Sequence, residues 1–181
     1  MASELYVETL KGLTSGDNAN TITVGSGQTL YAPGHVLQVV SSTRDTAYST
    51  TSTSYVSPDG LSVSITPSST SSKILVMFQG KGGSATGNGL NLRLERDGTG
   101  INLASGQTYG QQVNIPVSPD QNRHYHSADL TYLDSPASTS SITYRLALAS
   151  SNGGQVTLNT RQLISSTNLG TSTITVMEIA G

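Results

Sequence analysis

Two histidines in the segment "RHYHS" are the best candidates that this sequence offers for metal binding. His124 and His126 stand two positions apart, so in a strand both imidazole rings lie on one face. Imidazole is a common zinc ligand, but a zinc site takes four ligands, and no carboxylate stands at a spacing that would complete this one. The sequence therefore predicts no metal and no cofactor, with both histidines as ordinary polar residues.

Carboxylates and nucleophiles are the groups that hydrolytic chemistry requires. Asp129 and Asp134 flank the segment "LTYL", whereas Asp45, Asp59 and Asp97 stand beside residues typical of turns. Serine is abundant, but no serine lies in a strand-to-helix motif with a paired histidine. Cysteine is absent from the sequence, which excludes a thiolate nucleophile and a disulfide framework. We therefore predict that the protein is not an enzyme.

The composition favours one soluble domain whose surface is solvated by hydroxyl groups. The chain has 181 residues, of which 28 are Ser and 24 are Thr, and only 11% are charged. Its nine Lys and Arg residues are scattered and the net charge is −2, so a nucleic-acid partner is not expected. No apolar run is long enough to span a bilayer, and the start "MASELYVETLKG" lacks the pattern of a signal peptide. We therefore expect a protein made in a cytoplasm and not inserted into a membrane.

The segment "GLSVSITPSSTSSKILVMFQG" indicates how the strands are arranged. Leu61, Val63 and Ile65 alternate with hydroxyl residues, as in a strand with one buried face. Pro67 ends this strand, and the serines that follow are typical of a turn. The run from Lys73 to Phe78 is continuously apolar and predicts a strand buried on both faces. The segment therefore predicts a hairpin in a sandwich of two sheets.

Further strands are predicted about every ten residues, with Gly, Pro, Asn or Asp between them, which is typical of an all-β sandwich or barrel. The predicted strands are 21–24, 35–42, 53–57, 61–66, 73–79, 90–96, 111–117, 127–134, 141–149, 155–160 and 172–179. Two segments, "RDGTG" at 96–100 and "SNGG" at 151–154, predict tight hairpin turns. Residues 1–33 are Gly-rich with apolar runs too short for a core, so they predict an N-terminal arm before a body at 34–181.

One strand carries charge on a single face. In "NGLNLRLERDG", Arg93 and Glu95 alternate with Leu92 and Leu94. Charged residues of this kind protect exposed strands from pairing with other chains. The segment therefore predicts an edge strand or a strand that faces another subunit.

Four segments together resemble the small trimeric β-sandwich virion proteins of tailed phages, especially marine and cyanobacterial ones. They are "HVLQVVSSTRDT", "STSYVSPDGLSVSITPSSTSSKILVMFQG", "LTYLDSP" and "STITVMEIAG". The segment "SELYVETLKG" also resembles the starts of such fibre proteins. The resemblance implies an antiparallel jelly-roll body similar to the tumour-necrosis-factor and C1q heads, with three copies packed around an axis.

The same resemblance implies a structural role in a virion. The trimer would form a knob or short fibre on the particle surface, with residues 1–33 attached to other capsid or tail proteins. A carbohydrate-binding adhesin that attaches the particle to host surface glycans, and a secreted C1q-like module, remain the alternatives. A chain of this length without a helical shaft does not suit an extended fibre.

Candidate residues for the trimer interface follow from the resemblance and from residue type. Tyrosines are favoured at subunit interfaces, which selects Tyr132 and Tyr144. In the resembling trimers the final strand runs close to the axis, which selects Ile174 and Val176. The final strand is therefore expected to be covered on one face by the body's own core and on the other by neighbouring copies.

Overall fold

The computed structural model describes residues 32–85, 87–114, 126–160 and 170–181, and these contain strands and loops only. The strands are β1 (Val36–Arg44), β2 (Tyr48–Thr50), β3 (Ser62–Ile65), β4 (Lys73–Gln79), β5 (Lys81–Ser84), β6 (Gly89–Arg96), β7 (Thr99–Ile101), β8 (Gln111–Asn114), β9 (His126–Ser127), β10 (Leu130–Asp134), β11 (Ile142–Ser150), β12 (Val156–Leu158) and β13 (Ser172–Ile179). In the described part of the chain, no helix is long and apolar enough to cross a membrane. Pro33–Gly181 form one compact unit.

Eight of these strands form a sandwich of two antiparallel sheets. The first sheet has the order β1-β13-β4-β10, and the second has the order β3-β11-β6-β7, with β8 also paired to β6. Numbered one to eight along the chain, these strands give the orders 1-8-3-6 and 2-7-4-5, which is the connectivity of a jelly roll. The predicted fold class, an all-β antiparallel jelly roll, is confirmed.

The core lies between the two sheets and follows from the alternation of residues along each strand. Leu61, Val63 and Ile65 are buried and the serines between them are exposed, as predicted for β3. The strands β11 and β6 of the same sheet add leucines beside them, and β4 and β13 close the core from the first sheet. The largest fully buried side chains include Tyr144 and Phe78. Their contact in one cluster holds the two sheets together.

A third, small sheet repeats the strand order of the first. Its order is β2-β12-β5-β9, and each of its strands neighbours β1, β13, β4 or β10, respectively, along the chain. Between the two sheets the four strands are interrupted along one line, which we call the sheet bend. The first sheet therefore continues past the bend with the same neighbours but with a new set of hydrogen bonds.

Gly80 and Asn159 explain how the chain passes the bend. A Cβ at position 80 would overlap the Ser172 hydroxyl and lie 2.8 Å from the Phe78 ring, so only glycine fits between β4 and β5. Asn159 has a φ of 61° and is fully buried. Its amide donates to the Arg44 carbonyl (2.9 Å), and its Oδ1 accepts from Ser172 Oγ (2.6 Å). One asparagine thus joins the neighbouring strands β1 and β13 at the bend.

The predicted hairpin between β3 and β4 is wrong. β3 pairs with β11 in the second sheet, whereas β4 lies between β13 and β10 in the first. The serine-rich segment therefore crosses from one sheet to the other. The strand β4 is also buried on one face only, since Leu75 and Met77 are partly exposed. A continuous apolar run predicts a strand buried on both faces, but the sequence does not show whether anything covers the second face.

Of the two predicted hairpin turns, one is confirmed and one is wrong. β6 and β7 form an antiparallel hairpin, with positive φ angles at Asp97 (48°) and Gly98 (83°). The segment 151–154 instead connects β11 in the second sheet with β12 in the small sheet. Its Asn-Gly pair makes a turn in which Asn152 Nδ2 donates to the Gly87 carbonyl (3.0 Å). Gly153 has a positive φ of 86° but Asn152 does not, so the chain bends there without the tight hairpin turn that was predicted.

Several predicted strands differ in extent. Residues 53–57 contribute one bridge, Val56 to Leu148, and the short strands β2, β5 and β7 were not predicted. The glycines of β5, Gly82 and Gly83, are both buried. The predicted strand 21–24, the end of 111–117 and the predicted arm at 1–33, apart from its last two residues, lie outside the described residues.

We predict that Ile174→Ala lowers the free energy of unfolding by about 2–5 kcal/mol, because Ile174 is fully buried in the sheet that closes the core. Ser62→Ala on the exposed face of β3 is the control and should change it by less than about 0.5 kcal/mol. Chemical denaturation of the two variants and the parent measures both. Equal stability of Ile174→Ala and the parent would show that β13 is peripheral.

Candidate functional site: the outer face of the first sheet

The four residues predicted for the trimer interface all lie on the inner face of the first or second sheet. Ile174, Val176 and Tyr144 have no exposed surface, and the Tyr132 side chain packs against the same core. Ile174, Val176 and Tyr144 are therefore core residues with no free surface for contact with another copy, whereas Tyr132 is only partly buried. The trimer itself and a subunit contact through Tyr132 stay predictions.

The opposite face of the first sheet carries a row of apolar side chains across all four strands. Val39 pairs with Met177, Met177 with Leu75, and Leu75 with Leu133. Val39 and Leu133 are each 54% exposed. Met77 stands on the same face of β4. An antiparallel sheet with one solvated face normally places polar residues there, so this row is unusual.

The pair Val36 and Ile179 extends the apolar row at one end of the sheet. We call the seven residues together the outer apolar face; they are Val36, Val39, Leu75, Met77, Leu133, Met177 and Ile179. The remaining outward residues of these four strands are Thr, Ser or Gln, except for Lys73. The face is therefore almost uncharged, with Lys73 at its margin bonded to Ser135 Oγ (2.9 Å).

Two buried carboxylates close one end of the sandwich. Glu178 and Asp134 flank Ile74 in neighbouring strands, so their Cα atoms are about 10 Å apart. Glu178 is fully buried and Asp134 is 5% exposed. The same end holds the start of the body, where the Gly34 amide donates to the Ala180 carbonyl (2.7 Å).

The Glu178 carboxylate is held by uncharged donors. It accepts from the Ser68 amide, from the hydroxyls of Ser68 and Ser72 (each 2.7 Å), and from the Gln38 side chain (2.6 Å). Burial alone raises the pKa of this carboxyl, but the hydrogen bonds from Ser68, Gln38 and Ser72 outweigh burial and lower it below its ordinary value. Glu178 thereby fixes the crossover between β3 and β4 to the last strand.

The Asp134 carboxylate joins the two sheets. It accepts from Arg96 Nη1 (2.8 and 3.0 Å) and from the Tyr144 hydroxyl (2.7 Å). Burial and the hydrogen bond to Asp134 raise the pKa of Tyr144 well above its ordinary value. Because Asp134 is ion-paired and Glu178 has its own four donors, neither has the free access that a general acid or base requires. Both carboxylates are structural.

A second charged cluster lies on the outer face of the second sheet. Glu95 is 2% exposed and accepts from Arg93 (2.6 and 2.9 Å) and Arg145 (2.6 Å). The Tyr55 ring stacks on the Arg93 guanidinium at 3.8 Å. The predicted alternation of Arg93 and Glu95 with leucines is confirmed, but β6 is a central strand and not an edge. The charges hold the loop at 51–57 against the sheet rather than protecting an edge.

Of the two histidines, His126 lies within the described residues and His124 lies outside them. His126 is partly buried in the short strand β9. Among the described residues, no group of three or more His, Asp or Glu side chains is arranged to hold a metal ion. Asp129, which flanks the segment "LTYL" together with Asp134, accepts a hydrogen bond from the Gly80 amide at the bend (3.1 Å).

The outer apolar face was missed because its strands were identified correctly but their neighbours were not. Met177 and Ile179 alternate with Ile174 and Val176 in opposite phase, so the last strand has apolar residues on both faces. This double pattern was visible in "TITVMEI". Leu75 pairs with Met177, and Met177 pairs with Val39. These pairings depend on strand order, which the local sequence does not determine.

No known family model matches this sequence, and no curated protein matches it. Among solved structures, the crystal structure of the infectious bursal disease virus VP2 subviral particle is similar over 93% of this chain, with 12% sequence identity and a TM-score of 0.39. The similar region spans 46% of that chain. A likeness of this degree assigns no function to the chain.

We predict that part of the acid sensitivity of the protein comes from Glu178. Because its pKa is lowered in the folded state, its stabilisation is complete above the ordinary glutamate pKa, about 4.3, and is lost as the pH falls through the folded value. Glu178→Gln should therefore be less stable than the parent near neutral pH, and the difference should shrink as the pH falls to about 3.

Urea denaturation of the parent and Glu178→Gln across this pH range measures that difference. Asp59→Asn, which changes an exposed turn carboxylate, is the control and should leave the pH dependence of stability nearly unchanged. A stability difference between the parent and Glu178→Gln that stays constant with pH would contradict the assignment of Glu178 as a buried anion.

Proposed function

We propose that the protein is a non-enzymatic structural component of a tailed-phage virion, and that its jelly-roll body assembles into a homotrimer through the outer apolar face. The observation that carries the proposal is the row Val39, Met177, Leu75 and Leu133, which crosses the whole first sheet on the side away from the core. Contiguous exposed apolar surface of this kind marks an interaction site.

The charge of this face favours other copies of the same chain as the occupant. Among its outward strand residues only Lys73 is charged, and it lies at the margin. Two such faces can meet without like-charge repulsion and without stripping water from buried ions. Small Thr and Ser side chains beside the apolar row allow close approach of flat sheets, as at the well-packed centres of oligomer interfaces.

The described residues also support a structural role by the use they make of their ionisable groups. Asp134, Glu95 and Glu178 each accept at least three hydrogen bonds, which join strands or loops of the body. These carboxylates stabilise the sandwich through hydrogen bonds and ion pairs. The count of three subunits, the tailed-phage particle and attachment through residues 1–33 are supported by the sequence resemblance alone.

We predict that Leu133→Glu dissociates the oligomer. Leu133 is more than half exposed in the single chain, so glutamate is tolerated by the folded body but places a charge inside the subunit contact. Sedimentation at micromolar concentration should show a trimer for the parent and a monomer of unchanged fold for the variant.

Ser62→Glu is the matched control, since Ser62 is exposed on the outer face of the second sheet. This variant should remain trimeric. A monomeric parent, or a Leu133→Glu variant that sediments as the parent does, would remove the outer apolar face from the proposal.

We further predict that deleting residues 1–33, the arm defined above, leaves the melting temperature of the body nearly unchanged but abolishes incorporation into particles. Pro33–Gly181 form a compact unit whose first ladder hydrogen bond, from Gly34 to Ala180, remains in the truncated chain. Calorimetry of the truncated protein and its recovery in purified virions measure the two effects. Unfolding of the truncated chain, or its normal incorporation, would contradict the role of the arm.

A further inference from the structure

A polar cleft of about 330 Å³ lies on the outside of the sheet bend. Its lining comes from three neighbouring strands where each passes the bend; the residues are Gln79, Gly80, Lys81, Ser127, Asp129, Thr171 and Thr173. The cleft lies where these strands pass from the first sheet to the small sheet, and its lining includes Gly80. It is a product of the fold and not of a single loop.

The Asp129 carboxylate is fixed in this cleft by two hydrogen bonds. Its Oδ1 accepts from the Gly80 amide (3.1 Å), and its Oδ2 accepts from the Ser127 hydroxyl (2.7 Å). A carboxylate oxygen can accept two hydrogen bonds, so each oxygen keeps one acceptor site. Asp129 is exposed, which leaves those sites open to a ligand.

Donors stand beside this acceptor. Lys81 and Gln79 are exposed, and their side chains make no hydrogen bond to any residue in the described parts of the chain. Thr171 adds an exposed hydroxyl that can donate or accept. Ser127 directly opposes Lys81 in the ladder between β5 and β9. The cleft therefore offers an oriented pair of acceptors flanked by an ammonium, an amide and hydroxyl groups.

This set of groups selects among classes of ligand. Apart from Gly80, every described residue of the lining is polar, which does not suit an apolar ligand. Asp129 is the only carboxylate among them, whereas a calcium ion needs six to eight oxygen ligands. The same carboxylate repels anions. A ligand with adjacent hydroxyl groups fits all of these residues, because each hydroxyl can both donate a hydrogen bond to Asp129 and accept one from a donor beside it.

We infer that the cleft binds a neutral saccharide, with two adjacent hydroxyls of one pyranose ring donating to Asp129 and with Lys81 and Gln79 donating to the sugar oxygens. The volume of the cleft is at the lower end of that of small-molecule sites, which suits one or two sugar rings. The site adjoins the outer apolar face, because Met77 of that face and Gln79 are two residues apart on the exposed side of β4, or about 7 Å.

Saturation-transfer NMR tests the inference on the full chain, with methyl pyranosides of glucose, galactose and mannose and N-acetylglucosamine as probes. We expect at least one neutral sugar to bind in the millimolar range. Asp129→Asn keeps an oxygen for the Gly80 amide but removes the charge and acceptor sites, and Lys81→Gln removes the ammonium. Each should weaken binding about tenfold or more.

Lys73→Gln, at the opposite end of the same exposed strand face, is the matched control and should bind as the parent does. The inference is overturned if no neutral sugar in the panel binds, if Asp129→Asn and Lys81→Gln bind as the parent does, or if sialic acid or sulfate binds better than every neutral sugar. Sedimentation of the same samples shows whether the oligomer persists, so a failed saccharide site is distinguished from a failed assembly proposal.

Discussion

The position of the last strand is the constraint on which the rest of the structure depends. β13 pairs along its length with both β1 and β4, so the C-terminal residues lie within the first sheet and not at its edge. Three functions of this strand follow from its alternation. Ile174 and Val176 fill the core, Glu178 closes the end of the sandwich, and Met177 lies in the outer apolar row. A change in the register of β13 by one residue would turn Ile174, Val176 and Glu178 outward and Met177 inward.

The two sheets present different exteriors, and this difference links the fold to the proposed assembly. On the second sheet, Glu95 is neutralised by two arginines and covered by the loop that carries Tyr55. The first sheet has a nearly uncharged exterior that nothing in the described part of the chain covers. In a protein with 11% charged residues, the concentration of ion pairs on one sheet leaves the other suited to contact with its own copies.

Much of the fold could be predicted from the sequence because burial imposes a period of two that is visible residue by residue. The bounds of β4 and β13, the wet and dry faces of β3, and the hairpin at Asp97 all followed from local patterns. Strand order depends on contacts that are distant in the sequence. Local patterns therefore predicted, wrongly, a hairpin of β3 with β4 and a hairpin at 151–154. Three of the four interface candidates, Tyr144, Ile174 and Val176, lie in the core for the same reason. Ile174 and Val176 were recognised as an apolar pair, but which face of a doubly apolar strand turns inward is decided by the partner sheet.

Thiol accessibility tests the central claim most directly, since the chain has no cysteine and a single one can be introduced where it is wanted. Val39 and Ser62 are both exposed in the single chain, but Val39 lies in the outer apolar row and Ser62 on the opposite sheet. In the native protein, Val39→Cys should react slowly with a thiol reagent until the oligomer is dissociated, whereas Ser62→Cys should react at once. Equal and rapid reaction of both cysteines in the native protein would contradict the claim that copies of this chain cover the first sheet.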